Sequence, residues 1–462
     1  MENDWKEYTL TDLYSVSSGL SKPAKDFGEG YPFLSFKNVF YNYFLPDELT
    51  ELVRSSDKER NVCSIHRGDV FLTRTSETMD ELGMSSVARK DYPNATFNGF
   101  CKRLRPSTNI SLYPEYVGYF LRSPWFRNEL MAFSTMSTRA SLNNDMIGRM
   151  KITLPPFPEQ KAIAHILGSL DNKIELNRRM NATLEGMAQA LFKSWFVDFD
   201  PVIDNAIVAG NPIPEEFFER AEARRKALAD GSANREATKV FPATFQLTEE
   251  MGWIPEGWEV KELRTITTDL RRGISPKYTD ENGVRVINQR CIRDHTINYS
   301  NARLNDTSKK KVDGRYLQTA DLLINSTGVG TLGRMAQVLN IDSPTVTDSH
   351  VTVVRPDPAL YMPYTFGRMM ISIELQVESM GHGSTGQTEL SRADLSVIPV
   401  IRPTSLIQEQ SEILLSEWIN KSEININQNG MLSKLRDTLL PKLISGELRI
   451  SEVERIAEEA LP

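Results

Sequence analysis

The sequence predicts an α+β fold in which two mixed α/β domains are separated by a pair of long helices forming an antiparallel coiled coil, the whole a pseudo-twofold internal repeat. Three observations predict it. Wording recurs between the two halves at fixed spacing; short β-branched and aromatic runs alternate with Gly, Pro, Asn and Asp turns; and each half ends in a heptad-like apolar stripe.

The repeat runs from end to end. Trp5, Leu10 and Leu13 match Trp258, Leu263 and Ile266 at identical spacing. "GLSKP" from Gly19 answers "GISPK" from Gly273, and "GYPFLSFKNV" from Gly30 answers "GVRVINQRCI" from Gly283. "GDVFLTRTS" from Gly68 pairs with "ADLLINSTG" from Ala320, and "RLRP" ending at Pro106 with "VVRP" ending at Pro356. Near the end of the first mixed part, "PEYVGYFLRSPWFRNEL" has helical spacing. Prolines then stop each mixed part, and "PEQKAIAHIL" and "QEQSEILL" open the long helices. The expected segments are a mixed domain at 1–155, a first helix at 156–200, a linker with one short charged helix at 201–250, a second mixed domain at 251–403, and a second helix with its tail at 404–462.

In the first helix a 3-4 alternation runs Ile163, Leu167, Leu170, Ile174, Asn177, Asn181, Leu184, Ala188, Leu191, Trp195. Two amides interrupt the apolar stripe, and Asn425 and Asn429 occupy the corresponding places in the second helix. A polar seam residue costs stability unless another polar group meets it, so it selects register. Matching amides four residues apart can satisfy each other across an antiparallel crossing; the alternative is that they face solvent. Gly430 beside Asn429 and Pro441 near the end argue against a straight, continuous second helix.

Bulk properties narrow the class. At 462 residues the chain is long enough for about three domains. No apolar run approaches the roughly 18 residues of a membrane span, and "MENDWKEYTL" lacks an apolar signal core, so a cytoplasmic location without a membrane partner is expected. Cys63, Cys101 and Cys291 form no C-x-x-C pair and are expected to be small buried residues. The net charge of −7 is uneven: the two mixed parts are close to neutral, whereas 156–250 and 404–462 are acidic. A local basic face on either mixed part therefore remains open.

Motifs for self-contained chemistry are weak. "GVGTLG" at Gly328 to Gly333 fits a dinucleotide fingerprint, but a strand-like run follows where a helix is required, so a glycine-rich hairpin turn is expected. "LPPF" at Leu154 lacks the leading amide or carboxylate that DNA amino-methyltransferases use. Pro46 and Asp47 lie too far from Glu159 for a nuclease pattern. "TDSH" at Thr347 to His350 places its polar groups on one strand, whereas a triad converges from separate elements. The five histidines lack metal-ligand spacing, and no phosphate loop is present.

The stretches "LPPFPEQKAIAHILGSLDNKIELNRRMNATLEGMAQALFKSWFVDFDPV", "GWIPEGWEVKEL" and "LRDTLLPKLISGELRI", in this two-copy order, resemble the specificity subunit of type I restriction-modification systems. The resemblance covers nearly the whole chain. It implies two target-recognition domains, each reading one half of a split site on double-stranded DNA, and helices that set the unread gap. It also implies a non-catalytic chain on which methyltransferase (modification) subunits and restriction/translocase subunits assemble. This chain would bind no cofactor, with S-adenosylmethionine, ATP and magnesium on the partner subunits. The alternative is a single-chain DNA methyltransferase or nuclease with an unrecognised active site.

DNA reading needs cations for the backbone and forked or amide side chains for base edges. Candidates are Lys37, Arg74 and Arg139 in the first domain, and Arg271, Arg272, Gln289, Lys309, Lys310, Lys311, Arg334 and Gln387 in the second. "SKKKVDGR" is the densest basic cluster and reads as a phosphate contact.

Overall fold

The structure is a computed structural model that describes residues 4–76, 81–107, 110–133, 140–382 and 388–450. The chain divides into two compact units, Met1–Arg178 with Ile426–Pro462, and Arg179–Asn425. The division falls inside both long helices, Phe157–Phe192 and Ser405–Ser445, so each unit holds a mixed domain together with a stretch of both helices.

In the first unit a four-stranded antiparallel sheet has the spatial order Tyr14–Ser18, Cys101–Pro106, Val70–Thr73, Ser85–Val87. Its inner side chains Val70, Leu72 and Leu104 share a core with Tyr116 and Phe120 of the helix Pro114–Arg122, with Ile163 and Leu167 of the first long helix, and with Leu443 of the second. A second layer pairs Phe33 and Leu34 in parallel with Thr96 and Phe97. Lys6–Thr9 pairs antiparallel with Lys151–Leu154 and brings the start of the domain to its exit.

The second unit repeats the main sheet, the parallel pair and the entry-to-exit pairing. Thr267–Arg272, Val351–Pro356, Leu322–Asn325 and Met335–Gln337 form a sheet of the same order and directions. Val286 and Ile287 run parallel to Val346 and Thr347, and Glu259–Glu262 pairs with Pro399–Arg402.

Two polar devices recur and explain several matched words. In the first copy Arg105 grips the buried carboxylate of Asp69 with two donors (2.8 and 2.6 Å); in the second Arg355 does the same to Asp321 (2.6 and 2.7 Å). Each Asp also accepts a backbone N–H three residues before it, from His66 and Gln318. At the root of each long helix a buried glutamine closes the turn. Gln160 accepts from Tyr113 N–H and donates to Pro155 O, and Gln408 accepts from Met362 N–H and donates to Pro403 O. Neutral amides satisfy a donor and an acceptor there without desolvating a charge.

Two expectations are corrected. Within 201–250 the chain packs the helices Asp200–Ala209, Phe218–Asp230 and Arg235–Thr238 together and then enters a hairpin, Phe245–Thr248 with Gly252–Pro255. Arg220 and Arg224, one turn apart, hold the buried Asp200 and Asp204, also one turn apart, while Phe199 and Val202 enter the second core. The second long helix is continuous through Gly430 and Pro441. Around Pro441 the buried Leu440, Leu443 and Ile444 outweigh its poor propensity, whereas Gly430 is exposed and costs the helix only its own weak propensity. "GVGTLG" is the hairpin turn between Leu322–Asn325 and Met335–Gln337, with Gly328, Gly330 and Gly333 at positive φ. The three cysteines are free and buried.

Candidate nucleic-acid interface

The helix pair is antiparallel within each unit. In the first, Asp171 accepts from Arg436 (2.7 Å), and six residues on Asn177 donates to Gln428 (2.8 Å) and Asn429 (2.9 Å). In the second, Asn425 donates to Asn181 (2.8 Å), and Asn181 donates to Ser422 O (3.2 Å). The four seam asparagines thus meet in two cross-helix pairs, with Asn177 and Asn425 buried.

Each recognition domain also grips this pair, by different chemistry. Tyr119 donates to Asp171 (2.7 Å), and burial followed by that carboxylate pushes its hydroxyl pKa well up. Arg368 is bidentate on Glu185 (2.5 and 2.6 Å); burial opposes charge on Glu185, but the guanidinium holds its carboxyl below the usual range.

The candidate DNA contacts fall into three groups. Arg139 and Gln387 lie outside the described residues. Arg271 and Arg272 make internal hydrogen bonds. Arg271 is buried and bonds Asp269 and Arg315 O, while Arg272 donates to Ser349 O (3.1 Å), Glu389 (3.0 Å) and Leu390 O (2.7 Å). A double-Arg at a strand end resembles a free cationic tip in sequence; here both guanidiniums tie loops to the sheet.

The remaining candidates are available in varying degree. Lys37 is exposed in the first turn of Phe36–Tyr41. Lys309 pairs with Asp306 (3.1 Å), and Lys311 is exposed, whereas Lys310 is half-buried, its carbonyl accepting from Asn305. Arg334 is half-buried beside the Gly328 turn and has no ion pair among the described residues. Gln289 accepts from Thr327 (3.4 Å), whose hydroxyl also meets His350 Nδ1 (2.8 Å). These three polar side chains cluster at one end of the second sheet.

The corresponding end of the first sheet is cationic. By strand register, Ser18, Lys102, Arg74 and Phe100 stand where Arg272, Thr352, Ser326 and His350 stand in the second copy. Lys102 donates to Ser18 (2.9 Å), whereas in the second sheet Ser326 and Thr352 form a hydroxyl pair (2.6 Å). Sequence reasoning selected Arg74 but missed Lys102, although it lies just before the repeated "RLRP". His350 was visible only as strand polarity. Among the described residues no group of three or more His, Cys, Asp or Glu side chains is placed to hold a metal ion. No helix among them is long and apolar enough to cross a membrane.

A sheet-and-helix unit is thus built twice, with different side chains at the matching sheet ends. The family profile "Type I restriction modification DNA specificity domain" matches residues 2–186. The specificity subunit of the type I restriction enzyme HindI of Haemophilus influenzae is 28% identical, over 96% of this chain and all of that protein. The MjaIX specificity subunit of Methanocaldococcus jannaschii is 25% identical, over 97% of this chain and 95% of its own length. Among solved structures, the type I restriction-modification S subunit from M. genitalium shares the fold with a TM-score of 0.56 at 13% identity, covering 96% of each chain. Over nearly its whole length the chain is thus similar to type I restriction-modification specificity subunits.

Proposed function

We propose that this chain confers DNA sequence specificity on a type I restriction-modification complex. Each recognition domain reads one half of a bipartite site, and the paired helices fix the gap. In this reading, as in the specificity subunits it resembles, the chain is a non-catalytic recognition subunit. Methyltransferase subunits carrying S-adenosylmethionine dock on it, and restriction subunits carrying ATP and magnesium join for cleavage. The observation that carries this reading is the duplication: two sheets of one strand order, each followed by a long helix, with differing side chains at equivalent sheet ends.

The available Lys37, Arg74, Lys309, Lys310, Lys311 and Arg334 supply backbone contacts in this reading, and Gln289 a base contact. Asn177, Asn181, Asn425 and Asn429 act as the register pin, since a one-turn slip would leave buried amides unpaired.

The test is to map methylated bases genome-wide in a host expressing the full system. A split motif is expected, and a continuous motif would overturn the reading. The purified chain alone should neither methylate DNA with S-adenosylmethionine nor cut it with magnesium; either activity would favour a self-contained enzyme. Asn177→Leu combined with Asn429→Leu should allow methylation at altered gap lengths, and unchanged gap selectivity would remove the pin.

A further inference from the structure

We propose that Lys102 and Arg74, with Ser18 and Phe100 beside them, form a phosphodiester-binding site in the first recognition domain, one that its second-domain counterpart lacks. The inference rests on the DNA-recognition reading above.

The four side chains share one face of the sheet. Ser18 and Leu72 flank Lys102 on its two neighbouring strands; Arg74 lies two residues beyond Leu72, and its N–H donates to Phe100 O (2.8 Å). Leu72 and Leu104 on this face belong to the core, so the face runs from apolar interior to a cationic end. Lys102 is only 9% exposed, yet its one hydrogen bond among the described residues is to a neutral hydroxyl. An ammonium has three donors, so two are unused. Neither Lys102 nor Arg74 has a carboxylate partner among the described residues. Burial and then the neighbouring guanidinium push the Lys102 pKa down, the opposite of what a resident anion would do.

Two cations held together and partly desolvated oppose folding unless they are kept for an incoming anion. The second copy shows that the strand geometry does not require them, because Thr352 and Ser326 fill the same positions as a neutral pair. Every other buried guanidinium–carboxylate contact described above is internally neutralised; this pair is not. A DNA backbone phosphate meets the need, with the ammonium as a point charge and the guanidinium as a fork. Phe100, 59% exposed at the rim, supplies an apolar flank for a sugar.

The test uses the chain assembled with its methyltransferase subunits. Its probes are a duplex bearing the mapped site and one with the first half-site scrambled, titrated from 50 to 200 mM KCl. Wild type, Lys102→Met, Lys102→Arg and Arg74→Gln are compared. Lys102→Met should weaken binding to both duplexes and flatten the salt dependence by about one unit of slope, so it loses roughly three- to fourfold less affinity than wild type across that range. Arg74→Gln should act in the same direction, and Lys102→Arg should restore the slope. Without DNA, Lys102→Met should melt no lower than wild type, because it removes a repelled charge. Wild-type affinity and slope in Lys102→Met, a relaxed preference at one base with the slope unchanged, or a much lower melting temperature would each overturn the site. Failure of the wild-type complex to prefer the mapped duplex would instead count against the DNA-recognition reading, independently of Lys102.

Discussion

The two four-stranded sheets share strand order, direction and internal locks, and they diverge at one end. Arg105 on Asp69 repeats as Arg355 on Asp321, and Gln160 repeats as Gln408. Beyond Leu72 and Ile324 the likeness stops: the first sheet ends in Lys102, Arg74 and Ser18, the second in Thr352, Ser326 and a tethered Arg272. The Arg–Asp and Gln locks satisfy buried groups inside each copy and are kept in both. At the ends the two copies use different groups: the second is tied internally through Arg272 and the Ser326–Thr352 pair, and the first leaves Lys102 and Arg74 without a carboxylate among the described residues.

The largest expected effect breaks the shared lock. Asp69→Ala or Asp321→Ala strands a partly buried guanidinium, and each should lower stability by about 3 kcal/mol in urea unfolding of the purified chain. If one costs nothing, the two locks are not equivalent despite their geometry.

Next come the helix roots. Gln160→Ala and Gln408→Ala each leave a buried N–H and a carbonyl without a partner and should cost about 2 kcal/mol, nearly equally. A large inequality in the same unfolding measurement would show that only one root bears on the fold.

A smaller pair of changes exploits a backbone position that the copies fill differently. Gly68 and Ala320 precede Asp69 and Asp321, at φ of +90° and +73°. An L side chain is strained there, so Gly68→Ala should destabilise by about 1 kcal/mol and Ala320→Gly should stabilise by roughly the same amount. The mirror-image signs are the check; two changes of the same sign would contradict the shared geometry.

The smallest effect concerns pH. Charged His295 donates Nε2–H to Glu374 (2.6 Å), and that hydrogen bond, against opposing burial, raises its pKa, with Glu185 adding to the rise. A histidine whose pKa is raised on folding contributes stability that is complete below its unfolded pKa and fades as pH rises through the folded one. Wild type should therefore lose some thermal stability from mildly acid to mildly alkaline pH, with a flatter profile in His295→Gln. Identical profiles would show that the pair contributes nothing.

Much of the architecture was legible because repetition is a sequence property. Trp5 with Trp258, Gly19 with Gly273, and "RLRP" with "VVRP" marked equivalent strands before any coordinates. Gly19 and Gly273 show why such words persist: a Cβ there would lie 2.3 Å from Asn98 O and 2.1 Å from Thr347 O. The Arg–Asp lock was present in the matched words but went unread, since nothing local says that residues 36 and 34 apart will meet. The candidate interface was less legible. Arg271 and Arg272 look free in sequence because the loops that claim them, at 315 and 389–390, are distant along the chain.

By itself the sequence determined the duplication, the mixed domains and the polar interruptions of the helix stripe, because periodicity and repeated wording are set by local burial and turn chemistry. The tertiary structure decided which amides face each other, that helices within 201–250 pack together, and which cations are neutralised and which are left over. Those outcomes depend on partners far apart along the chain, and a charge acquires its meaning only from the groups that fold around it.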